Sequence, residues 1–228
     1  MKRGMLLAVG FAASGLLLCA LCANVARELG EDREVVQTDA VYQLPCQVPG
    51  TPLTAQMLVS YDGPFMEDGS GEEVSGVTAL VLYNDSEQMI RSGQVVLEAG
   101  ETRLEFSFTC LPPDGTILVP EQNRSDSRPD CFSGCCGQTE TTDYLSPPDM
   151  IQVEEKDPIT LSVTNLGDTV YPLLHLYYKT YDSGSGMYVG GSTYSVTLEN
   201  LWPGMPREMI PYRYVRDYAR IVAVIPEM

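Results

Sequence analysis

Arg103-Leu104-Glu105-Phe106-Ser107-Phe108-Thr109-Cys110 alternates without a break: Leu104, Phe106, Phe108 and Cys110 share one face, and Arg103, Glu105, Ser107 and Thr109 the other. Period-two alternation is the mark of a strand with one buried and one wet face. Residues 194–199 repeat it, with Tyr194, Val196 and Leu198 inward and Ser195, Thr197 and Glu199 outward. Each run enters a proline turn, Leu111-Pro112-Pro113-Asp114-Gly115 in the first and Leu201-Trp202-Pro203-Gly204 in the second. Upstream, Leu80-Val81-Leu82-Tyr83-Asn84-Asp85-Ser86 matches Leu161-Ser162-Val163-Thr164-Asn165-Leu166-Gly167 as a strand running into an Asn-led turn.

The spacing from asparagine to leucine is 27 residues in the first copy and 36 in the second. The second copy therefore carries a longer hairpin, whose tip is Asp182-Ser183-Gly184-Ser185-Gly186. Past about residue 55 almost no segment has helical period, and the class is all-β: two tandem Ig-like β-sandwich domains over 56–145 and 146–228. One larger sandwich built from both copies is the alternative.

Before these copies, Lys2 and Arg3 precede an uncharged run, residues 4–26, and a polar linker spans 27–55. At about 1.5 Å per residue that run crosses a bilayer core of about 30 Å. The basic N-terminus, set against Glu28, Glu31, Asp32 and Glu34, stays cytoplasmic by the positive-inside rule. The expectation is a transmembrane helix or signal sequence over 1–26, with the remainder extracellular. Cleavage after Ala20-Leu21-Cys22 would make the chain a secreted one. Leu18 and Leu21 precede Cys19 and Cys22 where a lipobox needs a small residue, and Gly10-Phe11 resembles a prepilin processing site without the pilin glutamate.

The whole sequence has 228 residues and a net charge of −17, which repels phosphate backbones and makes nucleic acid an unfavourable partner. Its single histidine, His175, excludes multi-histidine metal sites. Walker loops, HExxH, GxSxG, dinucleotide fingerprints and an LPxTG sorting signal are missing too. No catalytic residues are assigned, and the expected mode of action is binding rather than catalysis.

The order of strand, Asn-turn, strand, Leu-x-Pro-Gly turn, strand resembles the small extracellular Ig-like modules called FxLYD domains. Leu174-His175-Leu176-Tyr177-Tyr178 matches that motif at Leu176 and Tyr177, with Leu174 in place of Phe and Tyr178 in place of Asp. Tyr61–Phe65, Tyr177–Asp182 and Met187–Tyr194 are similar to an uncharacterised family of membrane-anchored surface proteins from clostridia-like Gram-positive bacteria. The resemblance implies an envelope location and brings no activity with it.

Several residue groups are candidate sites. Nine of 13 tyrosines fall in the last 58 residues, and Tyr177, Tyr178, Tyr181, Tyr188 and Trp202 form a candidate aromatic surface for protein or glycan. Consecutive Tyr177 and Tyr178 must face opposite sides of a strand. Asp62, Glu67, Asp68, Glu72 and Glu73 cluster among glycines, so calcium would bind there if anywhere, and a solvated acidic hairpin is the plainer reading. Cys131, Cys135 and Cys136 are candidates for a local disulfide, with free thiols or a metal as alternatives. Cys110 in Phe108-Thr109-Cys110 resembles the Thr-Cys end of a sortase strand, yet His175 follows it where a sortase histidine precedes; a packed structural cysteine is the simpler role.

The expected role is an extracytoplasmic, membrane-anchored interaction protein, an accessory component of a cell-envelope assembly whose partner is an envelope protein or glycan. The alternatives are a pseudopilin-like or secretion-machine subunit and a calcium-dependent adhesion or glycan-binding module.

Overall fold

The structure, a computed structural model, describes residues 41–143 and 150–227. The expected membrane helix over 1–26 and residues 27–40 of the linker lie outside the described residues. Among the described residues the regular structure is β-sheet apart from a short 3-10 turn at Arg216–Tyr218, so the all-β class holds. No helix among them is long and apolar enough to cross a membrane.

The first copy consists of β1 (Cys46–Gln47), β2 (Leu53–Phe65), β3 (Glu72–Asn84), β4 (Met89–Ala99), β5 (Thr102–Leu111), β6 (Thr116–Pro120) and β7 (Gly134–Thr142). β2, β3 and β6 pair antiparallel in one sheet, with β3 in the middle. β5, β4 and β7 form a second antiparallel sheet around β4. The alternation read from the sequence is what joins them: Leu104 and Phe106 of β5 and Val95 and Leu97 of β4 meet Leu80, Leu82, Ile117 and Val119 of the facing sheet in one buried cluster. Burying each such side chain contributes roughly 1.5–3 kcal/mol.

Six consecutive residues of β3, Val77 to Leu82, are buried, so this strand is covered on both faces. The chain after β6 folds back over it: the Thr78 hydroxyl donates to Ser127 O at 2.8 Å, and the Thr78 amide to Ser125 O at 2.7 Å. Buried Glu121 organises this return by accepting from the amides of Glu105, Asn123 and Ser125.

The second copy consists of β8 (Ile151–Glu155), β9 (Leu161–Asn165), β10 (Tyr171–Asp182), β11 (Met187–Val189), β12 (Tyr194–Leu201), β13 (Arg207–Met209) and β14 (Ala219–Glu227). With β11 set aside, its pairing repeats the first: β8–β9–β13 answers β2–β3–β6, and β12–β10–β14 answers β5–β4–β7. Leu161, Val163, Leu174, Leu176, Leu198 and Val224 form its own core.

The two asparagines that lead the turns are the strongest sign of repetition. Asn84 is fully buried and its Nδ2 donates to Gln88 O, Leu111 O and Pro112 O at 2.9, 3.3 and 3.0 Å. Asn165, also fully buried, donates to Thr169 O and Leu201 O at 2.7 and 3.0 Å. In each copy one side-chain amide ties the turn that follows β3 or β9 to the end of β5 or β12. The residue before each leucine, Cys110 in one and Asn200 in the other, has positive φ, 49° and 52°. Asparagine tolerates that region well and cysteine does not, so Cys110 sits at a kink that the repeat demands.

Two features depart from the reading of the sequence. Residues 41–55, placed there in the linker, are folded into the first core: Val48, Leu53 and Ala55 are fully buried, with Tyr42, Leu44 and Cys46 packed beside them. Proline and polar residues in this stretch hid its apolar ones. The extra length of the second hairpin also does more than form a tip. Its β11 pairs antiparallel with the end of β10 and parallel with β6, through Tyr188↔Ile117 and Val189↔Leu118. One sheet therefore runs β1-β2-β3-β6-β11-β10-β12 across both copies. The described residues form one compact unit, with a small shared cluster of Met89, Cys110, Val222 and Ala223 in addition to the two cores.

Candidate functional site

The junction of the two copies is built around a lysine. β10 carries Lys179 immediately after Tyr178, and both are buried. Its Nζ donates to Thr109 O, Gly191 O and Ser192 O at 3.0, 3.1 and 2.9 Å and to Thr193 Oγ1 at 3.2 Å. One acceptor belongs to β5 of the first copy and three to the segment after β11. Burial pushes the amine down to about 7, against the pull of Cys110 and Glu67 beside it.

The same segment is held from two other sides. Glu67 Oε1 accepts from the Gly191 amide at 3.0 Å, and the Thr109 amide donates to Gly191 O at 2.9 Å. A Cβ at Gly191 would stand 2.0 Å from Ser107 O, so only glycine lets the backbone come this close to β5. Burial raises the Cys110 thiol, which contacts Thr193 and lies near Lys179. A buried thiol of raised pKa is a poor nucleophile.

Next to this junction the outer face of the β5–β4–β7 sheet forms a groove of about 710 Å³, walled on one side by Glu67 and Gly191–Thr193. Its floor is amide and hydroxyl: Ser92 and Gln94 from β4, Ser107 from β5, Gln138 from β7. Gln138 Nε2 donates to Gln94 Oε1 at 3.1 Å, and Ser92 Oγ to Glu140 Oε2 at 3.2 Å. The strand alternation that buries Phe106 and Val95 is what turns these polar side chains outward.

A second surface lies at the end of the second copy that holds Asn165. Leu166 and Trp202 sit on turns joined there, since Gly204 N donates to Asn165 O at 2.8 Å and Leu166 N to Met150 O at 2.7 Å. Met150, Leu166, Trp202 and Met205 are all more than half exposed. Four large apolar side chains left in water on touching turns are unusual for a surface that meets only solvent.

The candidate aromatic surface does not form as one strip. Tyr178 lies in the second core, its ring 5.6 Å from those of Tyr194 and Tyr214. Tyr177 packs instead on the shared cluster, so the two neighbours do face opposite sides. Tyr181 and Tyr188 are cross-strand partners at the base of the insertion, rings 5.2 Å apart, with the Arg220 guanidinium 4.7 Å over Tyr181. Trp202 stands apart from them, on the exposed end.

The acidic hairpin is occupied by its own neighbours. Asp62 accepts from Ser75 Oγ and, at 2.9 Å, from Gly76 N, which holds its carboxyl below the usual range. Arg124 pairs with Asp68 and Glu72, at 2.5 and 3.0 Å, and lies 4.7 Å over the Phe65 ring. Glu67 accepts from the Gly191 amide, and Glu73 is exposed. Among the described residues no three His, Cys, Asp or Glu side chains converge as a metal site would require.

Of the three candidate cysteines, Cys135 is buried, while Cys131 and Cys136 are exposed. His175 Nδ1 contacts Thr197 Oγ1 at 3.0 Å and its Nε2 contacts Glu227 Oε1 at 3.1 Å, so neither ring nitrogen serves Cys110.

Sequence reasoning passed over Lys179, the groove and the exposed turn around Leu166. A lysine directly after the strand run Leu174–Tyr178 was the available signal for the first of these. Comparison with protein families, with characterised proteins and with solved structures finds no match to this chain.

Proposed function

We propose that this protein is an extracytoplasmic interaction protein, held at the membrane by residues 4–26, that docks another envelope protein through the Trp202 end of its second copy. The reading includes two Ig-like sandwiches acting as a presenting scaffold and no catalysis of their own. The observation that carries it is the exposed set Met150, Leu166, Trp202 and Met205 on touching turns. Trp and Met are the residue types enriched at protein interfaces. The repeated order, two neighbouring strands, a hairpin in the opposite sheet, then one strand back in each, supports the Ig-like assignment. Engagement of both His175 nitrogens and the buried thiol of Cys110 support binding over catalysis.

The test is a photo-crosslinking residue at Met205 of the full-length chain in its native envelope. A discrete crosslinked species that disappears in W202A is the expected result. Its absence, or its persistence in W202A, refutes the docking end. Mass and N-terminal sequence of the chain from membrane and culture fractions test the anchor: a chain starting near Ala23 in the medium replaces it with secretion.

A second reading rests on the groove. Side-chain amides and hydroxyls at Gln94, Gln138, Ser92 and Ser107 match the hydroxyl groups of a glycan, and Gln138→Trp would fill the space. Binding of envelope polysaccharide by the native chain and its loss in Q138W would favour this reading over protein docking.

A further inference from the structure

Cys46 and Cys135 are distant in sequence and adjacent in space. Cys46 lies in β1 and packs against the first core, of which buried Cys135 in β7 is a member. Each thiol perturbs the titration of the other, which places the two side chains close together. The backbones that carry them are fixed on both sides. Before the cysteines, Tyr42 and Phe132 exchange two backbone hydrogen bonds, each of 2.8 Å. After them, Val48 Cγ1 lies 2.6 Å from where a Cβ on Gly137 would stand. Residues 42–48 therefore run alongside 132–137, and Cys46 and Cys135 lie between the two ties.

We propose that Cys46 and Cys135 form a disulfide that covalently closes the flank of the first sandwich. Among the described residues β7 pairs only with β4, and the 41–51 segment packs against this flank through Tyr42, Val48 and Thr51. The bond would hold that segment in place and close a long loop, the arrangement in which a cross-link restricts the unfolded chain most. It also replaces the pairing within 131–136 expected from sequence spacing. Adjacent strand residues face opposite sides, so Cys136 points away from Cys135, and both Cys136 and Cys131 remain exposed thiols.

The chemistry needs a disulfide oxidant. The thiolate of one cysteine attacks a sulfur of a low-molecular-weight disulfide, forming a mixed disulfide and releasing one thiol. The second thiolate then displaces the other half. The protein loses two electrons and two protons, and the oxidant is reduced to two thiols. Burial raises both thiols, Cys135 to about 12. The thiolates are scarce near neutrality, so uncatalysed closure accelerates as the pH rises.

Purified full-length chain, fully reduced and then treated with oxidised glutathione at pH 8, tests the pair directly. After trapping free thiols with N-ethylmaleimide in denaturant, a non-reducing peptide map is expected to show one linked peptide joining Cys46 to Cys135. C46S should leave Cys135 alkylated, and C135S should leave Cys46 alkylated. Reductant should lower the wild-type melting temperature by roughly 10 °C and leave the double variant unchanged. Alkylation of both Cys46 and Cys135 after oxidation, or a link from Cys135 to Cys131 or Cys136, overturns the proposal. The bond's presence in the cell rests on the export reading. Chain recovered from its native host with both thiols free, although the purified chain pairs, refutes export and not the pair.

Discussion

Replacing Lys179 with methionine deletes the donor that ties the insertion to the first sandwich while keeping a side chain of similar reach. Four acceptors lose the amine of Lys179, unequally. Thr109 O still receives the Thr193 hydroxyl, and Gly191 O still receives the Thr109 amide and hydroxyl. Among these carbonyls the loss is greatest at Ser192 O, a part-buried acceptor for which losing its donor costs up to about 1–3 kcal/mol. Each weakened bond adds roughly 0.5–1.5 kcal/mol, and relief from burying an amine offsets part of the total. The expected loss is about 2–4 kcal/mol at pH 9.

The pH dependence separates this account from a simple packing defect. With the amine at about 7 in the folded chain and near its ordinary 10.5 when unfolded, the unfolded state binds more protons between those values. Wild-type stability contributed by this group therefore rises with pH from 7 toward 10 and is at its lowest below 7. At about 1.4 kcal/mol per unit, the gap between wild type and K179M should widen by about 2–3 kcal/mol from pH 7 to pH 9. Other titrating groups are common to both chains and cancel in that difference to first order. Guanidinium unfolding of both full-length chains, followed by far-UV circular dichroism at pH 6, 7 and 9, measures it. A K179M midpoint equal to wild type at pH 9, or a gap that does not change with pH, refutes the role given to the buried amine.

N84A and N165A should each lower stability by about 2–4 kcal/mol, because one truncation strips donors from two or three carbonyls; equal melting temperatures for wild type and N165A would contradict the turn-tying role. G191V must force the 190–193 segment off β5, so hydrogen exchange in the 107–111 peptide should rise while the Leu80–Leu82 peptide stays protected; unchanged exchange at Thr109 would refute the contact. F106A should cost about 3–5 kcal/mol by opening a cavity in the first core, read by chemical denaturation. W202A, more than half exposed, should change stability by less than about 0.5 kcal/mol while abolishing the Met205 crosslink, and a large drop in melting temperature would make Trp202 structural instead.

Local pattern was enough for the elements and for their repetition. Leu104, Phe106 and Phe108 point inward because alternation in a strand leaves no other face for them, and Asn84 and Asn165 recur at matching positions because each turn needs the same side-chain amide. The longer second hairpin was legible as a difference in spacing. Its destination was not, because the parallel pairing of β11 with β6 depends on where the first copy leaves an open edge. Tyr178 was misplaced on a binding strip for a related reason: period two says that Tyr177 and Tyr178 diverge, without saying which one meets a core.

The sequence by itself determined the all-β character of the described residues and their two similar copies, since periodicity, turn residues and spacing are local properties that survive any arrangement of the strands. Only the tertiary structure decided that Lys179 is buried among carbonyls, that Gln94 and Gln138 share a groove floor, and that Cys46 meets Cys135. Those juxtapositions join residues tens of positions apart, and their proximity comes from sheets packing and edges pairing, which no window of sequence contains.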